Sequence, residues 1–114
     1  MMAVMFELEP REGSTARYFE LAALLRASLE ATDGFISVER FESLARPGHF
    51  LSLSFWRDEA AVRNWRCQGL HRGAQQEGRN AVLGGYRLRV AEVVRDYGLL
   101  DREQAPADSL AVLI

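Results

Sequence analysis

The chain has 114 residues, a length that fits one domain with a modest hydrophobic core and no need of disulfides or a structural metal. Its formal net charge is −2 and no basic cluster is present, so nucleic acid is not an expected partner. All 14 basic residues are arginine, which excludes Schiff-base chemistry on a lysine, and the single Cys67 excludes an internal disulfide and a thiolate metal cluster.

The amino-terminal segment turns acidic after six residues, too early for a signal peptide. No apolar run is long enough to span a bilayer. We therefore expect a cytoplasmic protein without membrane contact.

The first elements are a strand and a helix. Alternation of apolar and polar residues over positions 3–8 predicts strand one. A break follows at positions 10–13, and Ser14 is a candidate helix N-cap. Apolar residues then recur at steps of three and four from Tyr18 to Leu29, which predicts an amphipathic helix that the Asp-Gly pair at positions 33–34 ends.

Two alternating runs follow, Phe35 to Leu44 and His49 to Trp56, and the Pro-Gly turn between them predicts an antiparallel hairpin. Asp58 is the candidate cap of a second helix, which Gly69 interrupts and Gly78 closes. His49, beside the turn, is expected to be exposed.

A last alternating run from Tyr86 to Tyr97 predicts the fourth strand. Twelve residues would run roughly 40 Å, beyond a typical strand, so we expect a bulge or bend, with the distal end reaching a partner. The order is that of an α+β, ferredoxin-like βαββαβ fold, a four-stranded antiparallel sheet with both helices on one face. The domain is expected over residues 1–98, with a tail at 99–114 that either frays or packs on the partner subunit.

Alternation also assigns the two faces of the sheet. The residues expected to face the helices are Val4, Phe6, Ile36, Val38, Leu51, Leu53 and Phe55. Those expected on the opposite face are Phe35, Ser37, Glu39, Phe41, Ser52, Ser54 and Trp56. Because the second set is too aromatic to lie open to water and too polar for an ordinary core, we expect a second copy to cover it in an isologous homodimer. Trp56, as its largest member, would then stabilise the dimer.

Five segments carry a family resemblance: FELEP, GFISVERFESL, PGHFLSLSFWRDEAAVRNW, HRGAQQEGR and YRLRVAEVVRDYG. Together they resemble the antibiotic biosynthesis monooxygenase family of dimeric α/β barrels, over about residues 4–98 and in matching order. The resemblance implies a homodimer. It also implies either cofactor-independent oxygenation of phenol- or quinol-like aromatic substrates or haem degradation, and a fold-level match does not choose between these.

The resemblance places Trp65 on the wall of a ligand pocket, where its flat indole would hold a planar substrate and its N–H would donate a hydrogen bond. The alternative is a core anchor, since Trp65 follows Val62 by three positions. Asn64 resembles a polar residue of the oxygenase branch. Phe55, assigned to the helix side, and Tyr86 complete the substrate-binding candidates, together with Gln75.

His71 is the candidate base, because an imidazole pKa of about 6.5 suits proton transfer near neutrality or iron binding as the neutral ring. Gln75 lies four residues on and Arg79 one turn further, so the three share a helical face. A phenolate or enolate can then lie between imidazole and guanidinium. The alternative is a solvent-facing or helix-capping histidine.

Other polar residues are weaker candidates. Glu39 and Arg40 project to opposite faces of strand two, and Glu39 is either a desolvated base or an interface carboxylate paired with Arg89 or Arg95. The two histidines lie far apart in the sequence and no acidic cluster accompanies them, so the sequence does not predict a metal site.

The sequence therefore predicts a cofactor-independent monooxygenase for a small aromatic ligand, with His71, Trp65 and Arg79 as catalytic residues. A haem-binding or haem-degrading protein, or a non-catalytic binder of a flat ligand, is the alternative. Two features weigh against haem. Trp65 and His71 are six residues apart, which corresponds to a rotation of about 240° around an unbroken helix. Their side chains would therefore point in different directions unless Gly69 changes the direction of the second half of the helix. This chain also has Glu7 where haem degraders carry an asparagine in the first strand.

Overall fold

Four strands form one antiparallel sheet in the order β2-β3-β1-β4 in the computed structural model, which describes residues 1–110 apart from the side chain of Leu70. The strands are β1 (Met2–Pro10), β2 (Phe35–Glu42), β3 (Phe50–Trp56) and β4 (Leu83–Glu92). The helices are α1 (Thr15–Ala31), α2 (Glu59–Arg66) and α3 (Gly69–Glu77), followed by a π-helical turn (Gly78–Val82) and a short 3-10 turn (Ala107–Ser109). The predicted α+β, ferredoxin-like order is confirmed, with the second helix divided in two. In this part of the chain, no helix combines the length and apolar character needed to cross a membrane.

The predicted N-caps differ in how they act. The carboxylate of Asp58 accepts a hydrogen bond from the backbone N–H of Ala61 at 2.9 Å, which fixes the start of α2. This bond, with a second one from Arg57, holds the pKa of Asp58 below its usual range. Ser14 stands at the predicted cap of α1, but its side chain makes no capping hydrogen bond.

A tight contact joins the end of α1 to α2. Gly34 adopts a positive φ of 88°, a conformation that side chains with a Cβ rarely take. A Cβ at this position would stand 2.6 Å from the Cβ of Ala61. The turn into β2 therefore needs glycine for both its backbone conformation and its packing.

The face prediction for β3 is wrong. Ser52, Ser54 and Trp56 lie on the helix side, so Leu51, Leu53 and Phe55 lie on the other side. Trp56 is 1% exposed in a core cluster with Leu29, Ala61, Val62 and Trp65. Both sets of β3 residues contain large apolar groups, so alternation alone could not tell which set faces the helices. Burial of the largest ring decides it.

The β2 assignment is partly wrong as well. Val38 lies on the helix side as predicted, while Phe35 packs against the core and Ile36 is 52% exposed. The cause is a register shift between Phe35 and Ser37, where two β2 residues occupy the space of one on β3. A bulge of this kind has no clear sequence signal.

The prediction for the fourth strand was wrong in its bounds. β4 begins at Leu83 and ends at Glu92, and its register irregularity lies near its start, where Pro10 pairs with Leu83. Val93 makes one further bond, from its N–H to the carbonyl of Met1, and the chain then leaves the sheet.

The segment after β4 extends away from the sheet. Val94 and Leu100 are 80% and 92% exposed. The longest dimension of the described chain is 50 Å, and its radius of gyration of 16.3 Å exceeds the roughly 13 Å expected of a compact chain of this length. Within the segment, the Arg102 guanidinium lies 5.3 Å from the ring centre of Tyr97. The tail prediction for residues 111–114 falls outside the described residues.

Candidate active site between the sheet and the helices

A cavity of about 550 Å³ separates the sheet from the helices. This volume lies within the range of roughly 300–1,000 Å³ found for small-molecule sites. The sheet residues that line the cavity are Val4, Phe6, Val38, Arg40, Ser52, Ser54, Trp56, Leu83, Tyr86, Leu88 and Val90. On the β4 side, Tyr86, Leu88 and Val90 remain 40–58% exposed, so the cavity opens toward that edge.

The break between α2 and α3 brings the two aromatic candidates together. The ring centres of Trp65 and His71 lie 4.6 Å apart, at an interplanar angle of 44°. Trp65 in turn lies 6.4 Å from the ring centre of Trp56. The divergence expected for an unbroken helix does not occur, because the chain changes direction between Arg66 and Gly69.

The hydrogen bond of His71 selects its tautomer. Its Nδ1 lies 3.2 Å from the backbone carbonyl oxygen of Trp65. A carbonyl oxygen only accepts, so in the neutral ring Nδ1 carries the proton and Nε2 keeps its lone pair. The imidazole is thereby oriented with one nitrogen able to accept a proton.

Burial lowers the pKa of His71, the hydrogen bond with the Trp65 carbonyl opposes this effect, and the positive charge of Arg72 lowers the pKa further. The net shift is downward from the ordinary value of about 6.5. His71 is therefore mainly neutral at pH 7, the state that a general base requires.

Three further predicted residues also line the cavity, namely Gln75, Arg79 and Tyr86. Gln75 Oε1 accepts a hydrogen bond from Arg72 at 3.2 Å. Arg79 belongs to the π-helical turn, and the Tyr86 ring packs edge-on against Phe6 at 5.7 Å.

The other two predicted residues lie elsewhere. Asn64 is an exposed residue of α2 and does not line the cavity. Phe55 pairs with Ala3 and Ser37 on the sheet face away from the helices, so the placement that made it a substrate-binding candidate is wrong.

The helices above the cavity are tied together by polar contacts. The Arg17 guanidinium on α1 donates two hydrogen bonds to the carboxylate of Glu77 on α3, at 2.6 and 2.8 Å. These bonds lower the pKa of Glu77. At the other end of α1, Gln68 donates to the hydroxyl of Thr32 at 3.1 Å. The two contacts join α1 to both ends of α3, so the two helices form one layer above the cavity.

Comparison with known proteins now decides the family. The model of the antibiotic biosynthesis monooxygenase family matches residues 1–77, more than half of the chain. The chain belongs to the antibiotic biosynthesis monooxygenase family.

A curated relative supports a monooxygenase-type function in this family. The jasmonate monooxygenase of Pyricularia oryzae is 47% identical over 93 residues, which are 82% of this chain and 43% of the relative. The chain thus spans less than half the length of that relative.

Solved structures share the fold at low identity. Rv0793 from Mycobacterium tuberculosis has a TM-score of 0.74 at 17% identity, covering 83% of this chain and 96% of that one. SnoaB, a cofactor-independent oxygenase from Streptomyces nogalater, has a TM-score of 0.73 at 14% identity, covering 83% and 94%. At these identities the likeness establishes the fold alone.

The sequence did not predict several polar residues that line the cavity. Tyr18, Arg40, Ser52 and Ser54 are among them. Ser54 accepts a hydrogen bond from the Trp56 indole N–H at 2.9 Å, and Arg40 Nε donates to the Tyr18 hydroxyl at 3.2 Å. Arg40 could have been predicted from the alternation of β2, because it lies two residues after Val38 and therefore faces the same side of the sheet. The serines were missed because β3 had been assigned the wrong face.

The haem alternative for this family member finds no support in the first strand. Glu7 lies on the face away from the helices, where its carboxylate pairs with Arg89 at 2.9 Å. β1 therefore presents only apolar side chains, Val4 and Phe6, to the cavity. The cavity therefore lacks the polar side chain, an asparagine, that is expected on the first strand of a haem degrader. Within residues 1–110, no group of three or more His, Cys, Asp or Glu side chains is placed to hold a metal ion.

Proposed function

We propose that the chain is a cofactor-independent monooxygenase that acts on a small, flat, phenol- or quinol-like substrate bound between the sheet and the helices. One observation carries the proposal: the His71 ring lies against the indole of Trp65 at the cavity, with Nδ1 at the Trp65 carbonyl oxygen and with its pKa lowered by burial. The monooxygenase name of the Pyricularia relative agrees with it.

In the first step, His71 takes a proton from an acidic carbon of the substrate, such as a methylene activated by a neighbouring phenol or carbonyl. Its lowered pKa keeps it free to accept that proton at neutral pH. The resulting carbanion is delocalised over the ring, and Trp65 supplies a flat wall for it. A bound substrate that fills the cavity would displace water from the apolar part of the lining, which protects the anion.

In the second step, the carbanion is oxidised and O2 is reduced. One electron passes to O2, and the two radicals combine to form a carbon–oxygen bond. The peroxide takes back the proton from the His71 imidazolium. Loss of water from this hydroperoxide, with a second C–H proton leaving, gives a carbonyl. A methylene and O2 thus become a carbonyl and water, with no external reductant.

Arg79 has the role of stabilising the anion in this scheme. Arg79 lines the cavity from the π-helical turn, and a positive charge near a developing enolate or peroxide lowers the barrier. The indole N–H of Trp65 is a second donor. In contrast, the N–H of Trp56 already donates to Ser54 and is not available.

We also propose a homodimer, in which the interface residues differ from those expected from the sequence. The outer face, defined by Met5, Phe41, Leu51, Leu53 and Phe55, is the sheet face away from the helices. Each of these side chains keeps some exposure, and the cross-strand pairs Met5–Leu53 and Leu51–Phe41 bring them together across three strands. A second copy of this sheet would cover the patch, and the extended residues 93–110 would pack on that copy.

Oxygen uptake tests the proposal. Purified protein treated with chelator, and shown by its absorption spectrum to be free of flavin and haem, is mixed with anthrone-type, quinol and jasmonate substrates in an oxygen electrode. We expect uptake with at least one of them and a loss of at least ~100-fold in His71→Ala.

The matched control is His49→Ala. His49 is the only other histidine, and its Nε2 lies 2.9 Å from Glu9, outside the cavity. Its half-buried position differs from the exposed one expected from the sequence. The proposal fails if no substrate of the panel supports uptake, or if the His71 and His49 variants lose it equally.

A further inference from the structure

The charges around the cavity all have one sign. Four arginines line it, Arg40, Arg66, Arg72 and Arg79, while none of the lining residues is an aspartate or glutamate. Arg66, Arg72 and Arg79 are exposed residues of the helical segments. Arg40 differs, because it is half-buried on β2 and enters from the sheet.

The contacts of Arg40 leave its charge uncompensated within the protein. Its Nε donates to the Tyr18 hydroxyl at 3.2 Å, and its guanidinium carbon lies 5.9 Å from the centre of the Tyr18 ring. Among residues 1–110, no carboxylate forms an ion pair with it. An arginine stays protonated at any working pH, so a half-buried guanidinium without a counter-ion costs free energy. An anionic ligand would supply the missing charge.

The position of Arg40 indicates the length of that ligand. Arg40 pairs with Ser52 across the sheet, and Trp56, which packs against Trp65, lies four residues further along β3. Four residues of strand correspond to about 13 Å. A molecule that reaches from Arg40 to the Trp65–His71 pair is therefore roughly as long as a ten-carbon chain.

We propose that Arg40 and the Tyr18 hydroxyl bind the carboxylate of an elongated, largely apolar acid, whose flat far end lies at Trp65 and His71. The planar guanidinium presents parallel N–H donors that match a carboxylate, and the Tyr18 hydroxyl adds a third donor. The apolar sheet residues Val4 and Phe6 contact the body of the ligand. The chemistry at the far end rests on the proposed function, whereas the binding of the acid does not.

Two probe ligands measure the contribution of the carboxylate to binding. Decanoate and decan-1-ol share a chain length and differ in the head group. Their dissociation constants are measured by calorimetry for the wild type, Arg40→Met and Arg63→Met. We expect Arg40→Met to weaken decanoate binding about 10- to 100-fold, as for the loss of a charged hydrogen bond, and to change decanol binding less than twofold. Arg63 is exposed on α2 and does not line the cavity, so its variant is the control.

Equal loss of both probes in Arg40→Met, or unchanged decanoate binding, would overturn the assignment. If Arg40→Met does not fold, Tyr18→Phe and Arg40→Lys take its place. Tyr18→Phe keeps the packing ring, and both should weaken decanoate several-fold while leaving decanol unchanged. Unchanged decanoate binding in both variants counts against the proposal.

The outcome separates this proposal from the oxygenase proposal. Arg40-dependent binding of decanoate without oxygen uptake by any substrate keeps the carboxylate site and removes the oxygenase. Oxygen uptake that is the same in wild type and Arg40→Met, for acids and neutral substrates alike, keeps the oxygenase and removes the carboxylate site.

Discussion

The His71 ring is positioned by two local contacts, one to the Trp65 carbonyl and one to the Trp65 ring. The first fixes the tautomer and the second fixes the ring plane. Both depend on the short break after Arg66, which the sequence signals only through the glycine at position 69. The sequence therefore identified His71 and Trp65 as candidates, but their contact depends on a change of chain direction that helical periodicity does not describe.

The residue-level misses have a common cause. Gln75, Arg79 and Tyr86 line the cavity as expected, and Phe55 does not, because its strand faces the other way. Asn64 shares a helix with Trp65 but lies on its exposed side. Spacing along one element predicts which residues share a face, and packing decides which face is inside.

The lowered pKa of His71 gives a pH prediction. A general base acts in its neutral form, so the proposed role of His71 predicts that kcat/KM rises with pH and reaches half its plateau below pH 6.5. A pH–rate profile of oxygen uptake measures this midpoint. The profile of His49→Ala should be unchanged, while a midpoint at or above pH 6.5 in the wild type would show that burial does not set the pKa.

The same shift affects stability with a defined sign. The folded state disfavours the protonated His71, so the unfolded state binds this proton more readily. The contribution of His71 to stability is full above its unfolded pKa of about 6.5 and is lost as the pH falls below that value. Acid should therefore destabilise the protein together with its activity.

At the scale of elements, the sequence predicts order better than orientation. The order of strands and helices followed from the change between two- and 3.6-residue periods, and it is confirmed. The face of β3 and the bulge near Phe35 were not predicted, because each depends on how side chains pack in the core, which the period of a single strand does not describe.

The junction of α1, β2 and α2 gives an element-level prediction. Gly34 and Gly13 both adopt positive φ, but a Cβ at Gly34 would clash with Ala61 and one at Gly13 would meet nothing within 4 Å. Gly13→Ala should cost about 1 kcal/mol, and Gly34→Ala about 2–4 kcal/mol, since it adds overpacking. Urea unfolding of the two variants gives the difference. Equal costs would show that α2 moves away without penalty.

At the scale of the whole molecule, the single chain is elongated and leaves apolar surface open on its outer face and along residues 93–110. A homodimer accounts for both features. The dimer and the cytoplasmic location stay predictions of the sequence. The expected role of Trp56 in the dimer is replaced by a role in the core, where it is buried.

The corrected interface predicts the effect of one charge. Leu53 lies on the central part of the outer face, where its neighbours on the adjacent strands are Met5 and Glu39. Leu53→Asp would bury a carboxylate without a counter-ion in the interface and should give a monomer. Leu24→Asp is the control, because Leu24 is exposed on α1, away from this face. Sedimentation velocity separates the species. A dimer that survives Leu53→Asp would place the interface elsewhere.

The central claim is that the cavity between sheet and helices holds the substrate beside His71. A crystal structure with a substrate that the protein oxidises tests this most directly. We predict density for the ligand against Trp65, with its acidic carbon within hydrogen-bonding distance of His71 Nε2. A ligand bound at another surface, or a filled cavity with the imidazole turned outward, would contradict the account.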